Sequence, residues 1–103
     1  MTAELKHDAG KARWDLLPMD ALGEVAQIVT YGASVYGDRR WESGMGFGRL
    51  LAAALRHIAA WSMGEDRDAE SGLLHLAHAA CNLLFLVSYL KRGVGKDDVR
   101  LKA

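Results

Sequence analysis

Histidines at a helical spacing are the residues of this chain best suited to chemistry. His75 and His78 lie in a segment from Leu73 to Leu90 that is otherwise almost entirely apolar, and Asn82 follows one turn later. At 3.6 residues per turn these side chains share one stripe of a helix with Ser71. A helix this apolar is buried on most sides, and a buried imidazole or amide without a partner costs about 1–3 kcal/mol. The stripe is therefore either a satisfied polar network in the core or the wall of a functional site.

An acidic turn comes shortly before the histidines. It contains Glu65, Asp66, Asp68 and Glu70. Carboxylate oxygens suit Mg²⁺ or Mn²⁺, and nearby imidazoles favour Mn²⁺ or a transition metal. A solvated loop whose acids stabilise the N-terminus of the next helix explains the same residues. Both interpretations stay open at this point.

Arginines form the second set of candidates. Arg56 and His57 are the polar pair inside the apolar run of the second predicted helix, Trp61 follows His57 by one turn, and Arg49 precedes Arg56 by two turns. The loops add further cations: Lys11, Arg13, Arg39 and Arg40. Arginine suits phosphate because its planar fork donates two parallel hydrogen bonds. Ion pairing with the equal number of acids is an equally good explanation.

The bulk composition limits the class of partner. The chain has 103 residues and a formal net charge of zero with histidines neutral. This charge argues against bulk electrostatic binding to polymeric nucleic acid or to an anionic membrane, but it allows a local basic pocket. Cys81 has no second cysteine to pair with. The composition therefore predicts one cytoplasmic domain without a disulfide.

Three periodic segments predict an all-α fold. The helices are expected at about residues 18–36, 47–63 and 71–92, and no segment has a strand pattern. We expect residues 1–13 to form a flexible N-terminal arm, residues 14–92 to form one helical domain, and residues 93–103 to form a C-terminal tail. The alternating charges of that tail predict fraying or packing on a partner.

Oligomerisation follows from the apolar character of the third helix. Three helices, one of them apolar nearly all round, are too few to bury each other. Two chains can complete a helical bundle. We therefore expect a homodimer or a homotetramer.

Four separated motifs in order give the chain a family resemblance. They lie at residues 10–18, 32–42, 55–57 and 70–82. In these segments the chain resembles the dATP/dGTP diphosphohydrolase N-terminal-like family of phages and bacteria. It is more distantly similar to the MazG-like all-α nucleotide pyrophosphatases. The resemblance implies hydrolysis of a deoxynucleoside triphosphate, with a suspected purine preference, to the monophosphate and pyrophosphate.

The resemblance also implies roles for particular residues. MazG-like enzymes hold Mg²⁺ with helical carboxylates. In this chain Glu24 could stand for one of these acids. His75 and His78 occupy the place of a later acidic pair. The metal ligands predicted for Mg²⁺ or Mn²⁺ are Glu24, Asp68 and Glu70. The predicted catalytic groups are His75, His78 and Glu70, with the two histidines either as metal ligands or as the base that orients water. The predicted substrate-binding residues are Lys11, Arg13, Arg39, Trp41, Arg56, His57, Trp61 and Asn82. The alternative is a non-catalytic nucleotide-binding or helical assembly module.

Overall fold

Three α-helices make up about half of the chain. In a computed structural model that describes residues 9–101, α1 spans Met19–Tyr36, α2 spans Phe47–Ser62 and α3 spans His75–Arg92. Within that range there is no strand, only two isolated bridges. The prediction of an all-α chain with three long helices is confirmed. None of these described helices is long and apolar enough to cross a membrane.

The third helix begins later than its sequence pattern predicts. It starts at His75 and not near Ser71. The preceding segment closes into a loop because the His75 N–H donates to the Asp66 carbonyl at 2.9 Å and the Asp68 N–H donates to the Leu73 carbonyl at 2.8 Å. Ser71 therefore lies in a loop, and the prediction that it shares a helical stripe with the histidines is wrong.

Helix α3 is the central element, since both other helices pack on it. Ile28 of α1 meets Ala77 and Cys81 of α3 in one buried cluster. Phe47 and Leu50 of α2 meet Tyr89 of α3 in a second one. Alanines elsewhere on α2 and α3 are also buried, and small side chains let helix backbones approach closely. The two clusters fix the distance between the polar residues of the three helices.

The C-terminal segment returns to the start of α2. The Lys96 carbonyl accepts a hydrogen bond from the Phe47 N–H, and Oδ1 of Asp98 accepts one from the Gly48 N–H, both at 2.8 Å. These bonds satisfy N–H groups that the first turn of a helix leaves without partners. The segment thus packs on its own chain, whereas its charge pattern predicts fraying or a partner.

The predicted domain limits stay predictions. Residues 1–8 of the proposed arm and residues 102–103 of the proposed tail lie outside the described residues. Within the described part of the arm, Lys11 and Arg13 are exposed, and Arg13 pairs with Asp15 through two hydrogen bonds of 2.9 and 2.8 Å.

Candidate functional site

A cleft of about 850 Å³ lies between the three helices and under the connection from α1 to α2. Its polar lining consists mainly of cationic and imidazole side chains. The charged or imidazole residues that line it are Arg39, Arg40, Arg49, Arg56, His57 and His78. No carboxylate is among the lining residues in the described part of the chain. A concave surface with this lining is suited to an anionic ligand.

Most of the cleft arginines have no acidic partner nearby. Within residues 9–101, Arg40, Arg49 and Arg56 have no carboxylate at ion-pair distance, whereas Arg39 lies 3.2 Å from Glu42. Ion pairing, the alternative that the sequence leaves open, therefore accounts for Arg39 but not for the other three. Unpaired guanidinium groups that face one cleft are available to bind phosphate oxygens.

Helix periodicity explains how α2 presents these arginines. Arg49, Ala53 and Arg56 follow each other at steps of four and three residues, so they share one face, and all three line the cleft. On α1, Gly32 also lines the cleft, and a Cβ added there would meet nothing within 4 Å. Small residues at these positions keep the space between α1 and α2 open.

Three histidines meet at one end of the cleft. Nδ1 of His57 lies 2.8 Å from Nδ1 of His75, so one ring donates a hydrogen bond and the other accepts it. The rings of His57 and His78 stack at a centroid distance of 4.4 Å and an angle of 6°. His57 and His78 line the cleft, whereas His75 is 5% exposed and lies behind His57. The polar stripe of α3 is thus partly a cleft wall and partly buried.

The loop before α3 fixes the outer side of this histidine cluster. The Ser71 hydroxyl lies 2.7 Å from Nε2 of His78 and accepts a hydrogen bond from the Leu73 N–H at 3.2 Å. A hydroxyl oxygen has two lone pairs, so Ser71 can also accept a hydrogen bond from the Nε2–H of His78, and in that tautomer Nδ1 of His78 is unprotonated. Oδ2 of Asp68 accepts a hydrogen bond from the Ser71 N–H at 2.9 Å. One serine therefore orients both an imidazole and a carboxylate.

The surroundings shift the pKa values of these groups in directions that favour ligand binding. Burial, reinforced by the neighbouring His78 and His75, lowers the pKa of His57. Burial also lowers the pKa of His78, although Asp68 opposes the shift. The backbone N–H of Ser71 lowers the pKa of Asp68. At neutral pH these two imidazoles are therefore neutral, with one unprotonated nitrogen in each ring, and the carboxylate is ionised.

Nε2 of His75 is an unusual group in this cluster. It is buried and has no hydrogen-bond partner in the described residues. Oε1 of Glu65 lies 3.3 Å away, which is an ion-pair distance, but it does not meet the geometry of a hydrogen bond from the ring N–H. An unpartnered buried ring nitrogen is rare because it costs about 1–3 kcal/mol.

The structure brings together eight of the thirteen residues that the sequence predicts for a site, six in the cleft and two beside His57. The predicted residues that line the cleft are Arg39, Trp41, Arg56, His57, His78 and Asn82. His75 and Asp68 lie next to His57, since one ligand atom from each of these three residues lies within 4.8 Å of the others. The predicted residues that do not line the cleft and do not belong to this group are Lys11, Arg13, Glu24, Trp61 and Glu70.

The two candidate tryptophans differ in their surroundings. Trp41 stacks on Phe85 at a centroid distance of 4.7 Å, and the guanidinium of Arg92 lies 4.8 Å from the Trp41 ring centroid. Trp61 is 44% exposed on the outer side of α2. Arg40 and Arg49 also line the cleft, although they do not belong to the predicted substrate-binding set. The position of Arg49 two turns before Arg56 is the sequence signal for it.

Comparison with known proteins identifies the family. The family model described as dATP/dGTP diphosphohydrolase, N-terminal, matches residues 1–99. The chain belongs to this family. The family resemblance that the four sequence motifs indicate is therefore confirmed.

One relative of the dATP/dGTP diphosphohydrolase N-terminal family shows how the chain compares in length. It is the dATP/dGTP diphosphohydrolase of Salmonella phage PMBT28, which is 37% identical over 99 residues. The match covers 96% of this chain and 34% of that relative, so the chain spans about a third of the relative's length. No solved structure matches the chain significantly.

Proposed function

We propose that this chain binds a deoxynucleoside triphosphate in the arginine-lined cleft and hydrolyses it to the monophosphate and pyrophosphate. The observation that carries the proposal is a cleft with Arg40, Arg49 and Arg56 on its walls and no carboxylate among its lining residues in the described part of the chain. The name of the phage relative supports the class of substrate and a preference for purines.

In this proposal the arginines hold the triphosphate. A guanidinium fork binds two phosphate oxygens at once and spreads its charge over them. Because the arginines come from α2 and from the α1–α2 connection, they can contact different phosphates of one triphosphate group. Positioning and charge stabilisation are the main contributions a protein makes to phosphoryl chemistry.

His78 is the proposed base that orients the attacking water. It lines the cleft, it is neutral at neutral pH, and Ser71 fixes its ring. A general base must lie within hydrogen-bond reach of the proton that it removes and must be unprotonated. Trp41 and Asn82 line the same cleft and are the proposed contacts for the base of the nucleotide.

A divalent ion, Mg²⁺ or Mn²⁺, belongs to the proposal as the expected cofactor. When bound, such an ion neutralises phosphate charge and lowers the pKa of a bound water. The MazG-like carboxylate arrangement finds little support, because Glu24 and Glu70 do not join Asp68 in a cluster of ligand atoms. The donor set that does converge contains two imidazoles and one carboxylate.

The proposal is tested by incubating the purified chain with each deoxynucleoside triphosphate and Mg²⁺ or Mn²⁺. We expect release of pyrophosphate from dATP or dGTP, and a strong loss of turnover in Arg56→Ala. Lys91→Ala is the matched control, since it removes one exposed positive charge outside the cleft. Binding of nucleotide without turnover would favour the non-catalytic binding module, and neither binding nor turnover would favour the assembly module.

A homodimer or homotetramer in the cytoplasm of a bacterial or phage-infected cell completes the proposal. Leu76, Leu83, Val87 and Leu90 lie on one face of α3, and each is at least 44% exposed. A second copy of this chain would cover that apolar face. We expect light scattering to give a dimer or tetramer mass, and Leu83→Glu with Val87→Glu to reduce it to the monomer mass. A monomeric wild-type chain would contradict this part.

A further inference from the structure

We propose that His57, Asp68 and His75 form a site for one transition-metal ion, with Mn²⁺ preferred over Mg²⁺. The inference rests on the proposed function, since it names the ion and the ligands that would serve the phosphate cleft. One ligand atom from each of the three residues lies within 4.8 Å of the others. They come from α2, from the loop before α3 and from the first residue of α3, so only the packed fold brings them together.

The spacing of the two imidazoles is close to that of ligands on one ion. Metal–nitrogen bonds of about 2.1 Å place two ligand atoms about 3.0 Å apart at a right angle and about 3.4 Å apart in a tetrahedron. Nδ1 of His57 and Nδ1 of His75 are 2.8 Å apart. Binding of an ion between them therefore needs the rings to separate by a few tenths of an ångström and the proton on one Nδ1 to move to Nε2 of the same ring.

Binding of an ion would also fix the tautomer of His75, whose Nε2 has no hydrogen-bond partner in the described residues. A ring that ligates through Nδ1 carries its proton on Nε2. In His75 that N–H would face Oε1 of Glu65, which is 3.3 Å away. Histidines that ligate a metal usually donate their other N–H to a carboxylate or carbonyl, which fixes the tautomer. Glu65 is thus a positioning residue for the site.

The chemistry of the donor atoms supports the same assignment. Two imidazoles with one carboxylate suit Mn²⁺ and later transition ions, whereas Mg²⁺ prefers oxygen ligands alone. Three protein ligands leave coordination positions open, as catalytic metal sites require. His57 also lines the cleft, so the proposed ion would border the phosphate-binding surface.

The test measures metal binding by the full chain after removal of metals with EDTA and without nucleotide. We expect one Mn²⁺ per chain by electron paramagnetic resonance, and Co²⁺ to give a visible absorption spectrum with nitrogen ligation. Mn²⁺ should raise the melting temperature, and Mg²⁺ at the same concentration should not. Wild-type chain that binds neither Mn²⁺ nor Co²⁺, or that binds Mg²⁺ as well as Mn²⁺, overturns the proposal.

Variants of the loop before α3 identify the ligands. Glu65→Gln should weaken Mn²⁺ binding by about 10- to 100-fold, the loss typical of a residue that orients a ligand. Asp68→Asn removes a ligand and should weaken Mn²⁺ binding by more than that. Asp66→Asn is the matched control, because Asp66 is exposed in the same loop and its side chain is outside the cluster. All three loop variants keep His57 and His75, and folding can be verified by circular dichroism. Equal affinity in the Asp68 and Asp66 variants overturns the assignment.

The outcomes separate this inference from the proposed function. Mn²⁺ binding that depends on Asp68, without cleavage of any nucleotide, supports the site and contradicts the catalytic function. Cleavage with Mg²⁺ that is unchanged in Asp68→Asn supports the function and contradicts the site.

Discussion

Replacement of Arg56 by alanine is the most direct test of the cleft. Arg56 lines the cleft and has no carboxylate partner at ion-pair distance within residues 9–101. A hydrogen bond to a charged group contributes about 1.5–3 kcal/mol. Because Arg56 is exposed, solvent screening favours a smaller value, about 1–2 kcal/mol. This range corresponds to about a 5- to 30-fold weaker affinity for a nucleoside triphosphate.

Isothermal titration with a non-hydrolysable dATP analogue measures this effect apart from turnover. Arg56→Lys keeps the charge but loses the planar fork, so we expect an intermediate loss. The loss should shrink as salt is added, since screening weakens interactions between exposed charges. Lys91→Ala should bind like the wild-type chain, because Lys91 lies outside the cleft.

A double variant tests whether the arginines act on one phosphate or on several. Arg49 and Arg56 are two turns apart on α2, about 10 Å along the helix axis. If they contact different phosphates, the losses in Arg49→Ala and Arg56→Ala should add to within about 0.5 kcal/mol in the double variant. Affinity in Arg56→Ala equal to that of Lys91→Ala would refute the assignment of the cleft to phosphate.

The remaining predictions concern stability and access to the cleft. Tyr89→Phe should lower the free energy of unfolding, measured in urea, by about 1–3 kcal/mol. The reason is that the fully buried Tyr89 hydroxyl donates a hydrogen bond to the Trp41 carbonyl. An unchanged unfolding midpoint would contradict this prediction. Gly32→Ala should raise that free energy by about 1 kcal/mol, whereas Gly32→Phe should weaken nucleotide binding in calorimetry by filling the cleft. Hydrogen bonds from the backbone and guanidinium of Arg100 lower the pKa of Asp97 from 3.8 to about 2. The ionised Asp97 carboxylate therefore stabilises the fold above pH 4, and this contribution is lost as the pH falls towards 2. The difference in unfolding free energy between the wild-type chain and Asp97→Asn should therefore shrink over that pH range; a constant difference would argue against the shift.

The candidate residues were predictable only in part. On the helices, Arg56, His57, His78 and Asn82 line the cleft, because the periodicity that identifies a helix also fixes which side chains share a face, but Glu24 and Trp61 do not line it. Between the helices, Arg39 and Trp41 line the cleft, whereas Lys11, Arg13 and Glu70 do not. A loop side chain has no such periodic constraint, so its direction follows from contacts that are remote in sequence.

The sequence by itself determined the three helices and the family. Helices follow from spacings of three and four residues, which are local properties of the chain. The ordered motifs along nearly the whole chain then indicated the family that the comparison confirmed.

Only the tertiary structure decided which polar groups meet. His57 and His75 are 18 residues apart and belong to different helices, and Asp98 contacts Gly48 across 50 residues. These contacts depend on how α2 and α3 pack through Phe47 and Tyr89, and a local pattern cannot encode that packing. The sequence offered imidazole, carboxylate and guanidinium groups as candidates, and helix packing decided which of them lie close together.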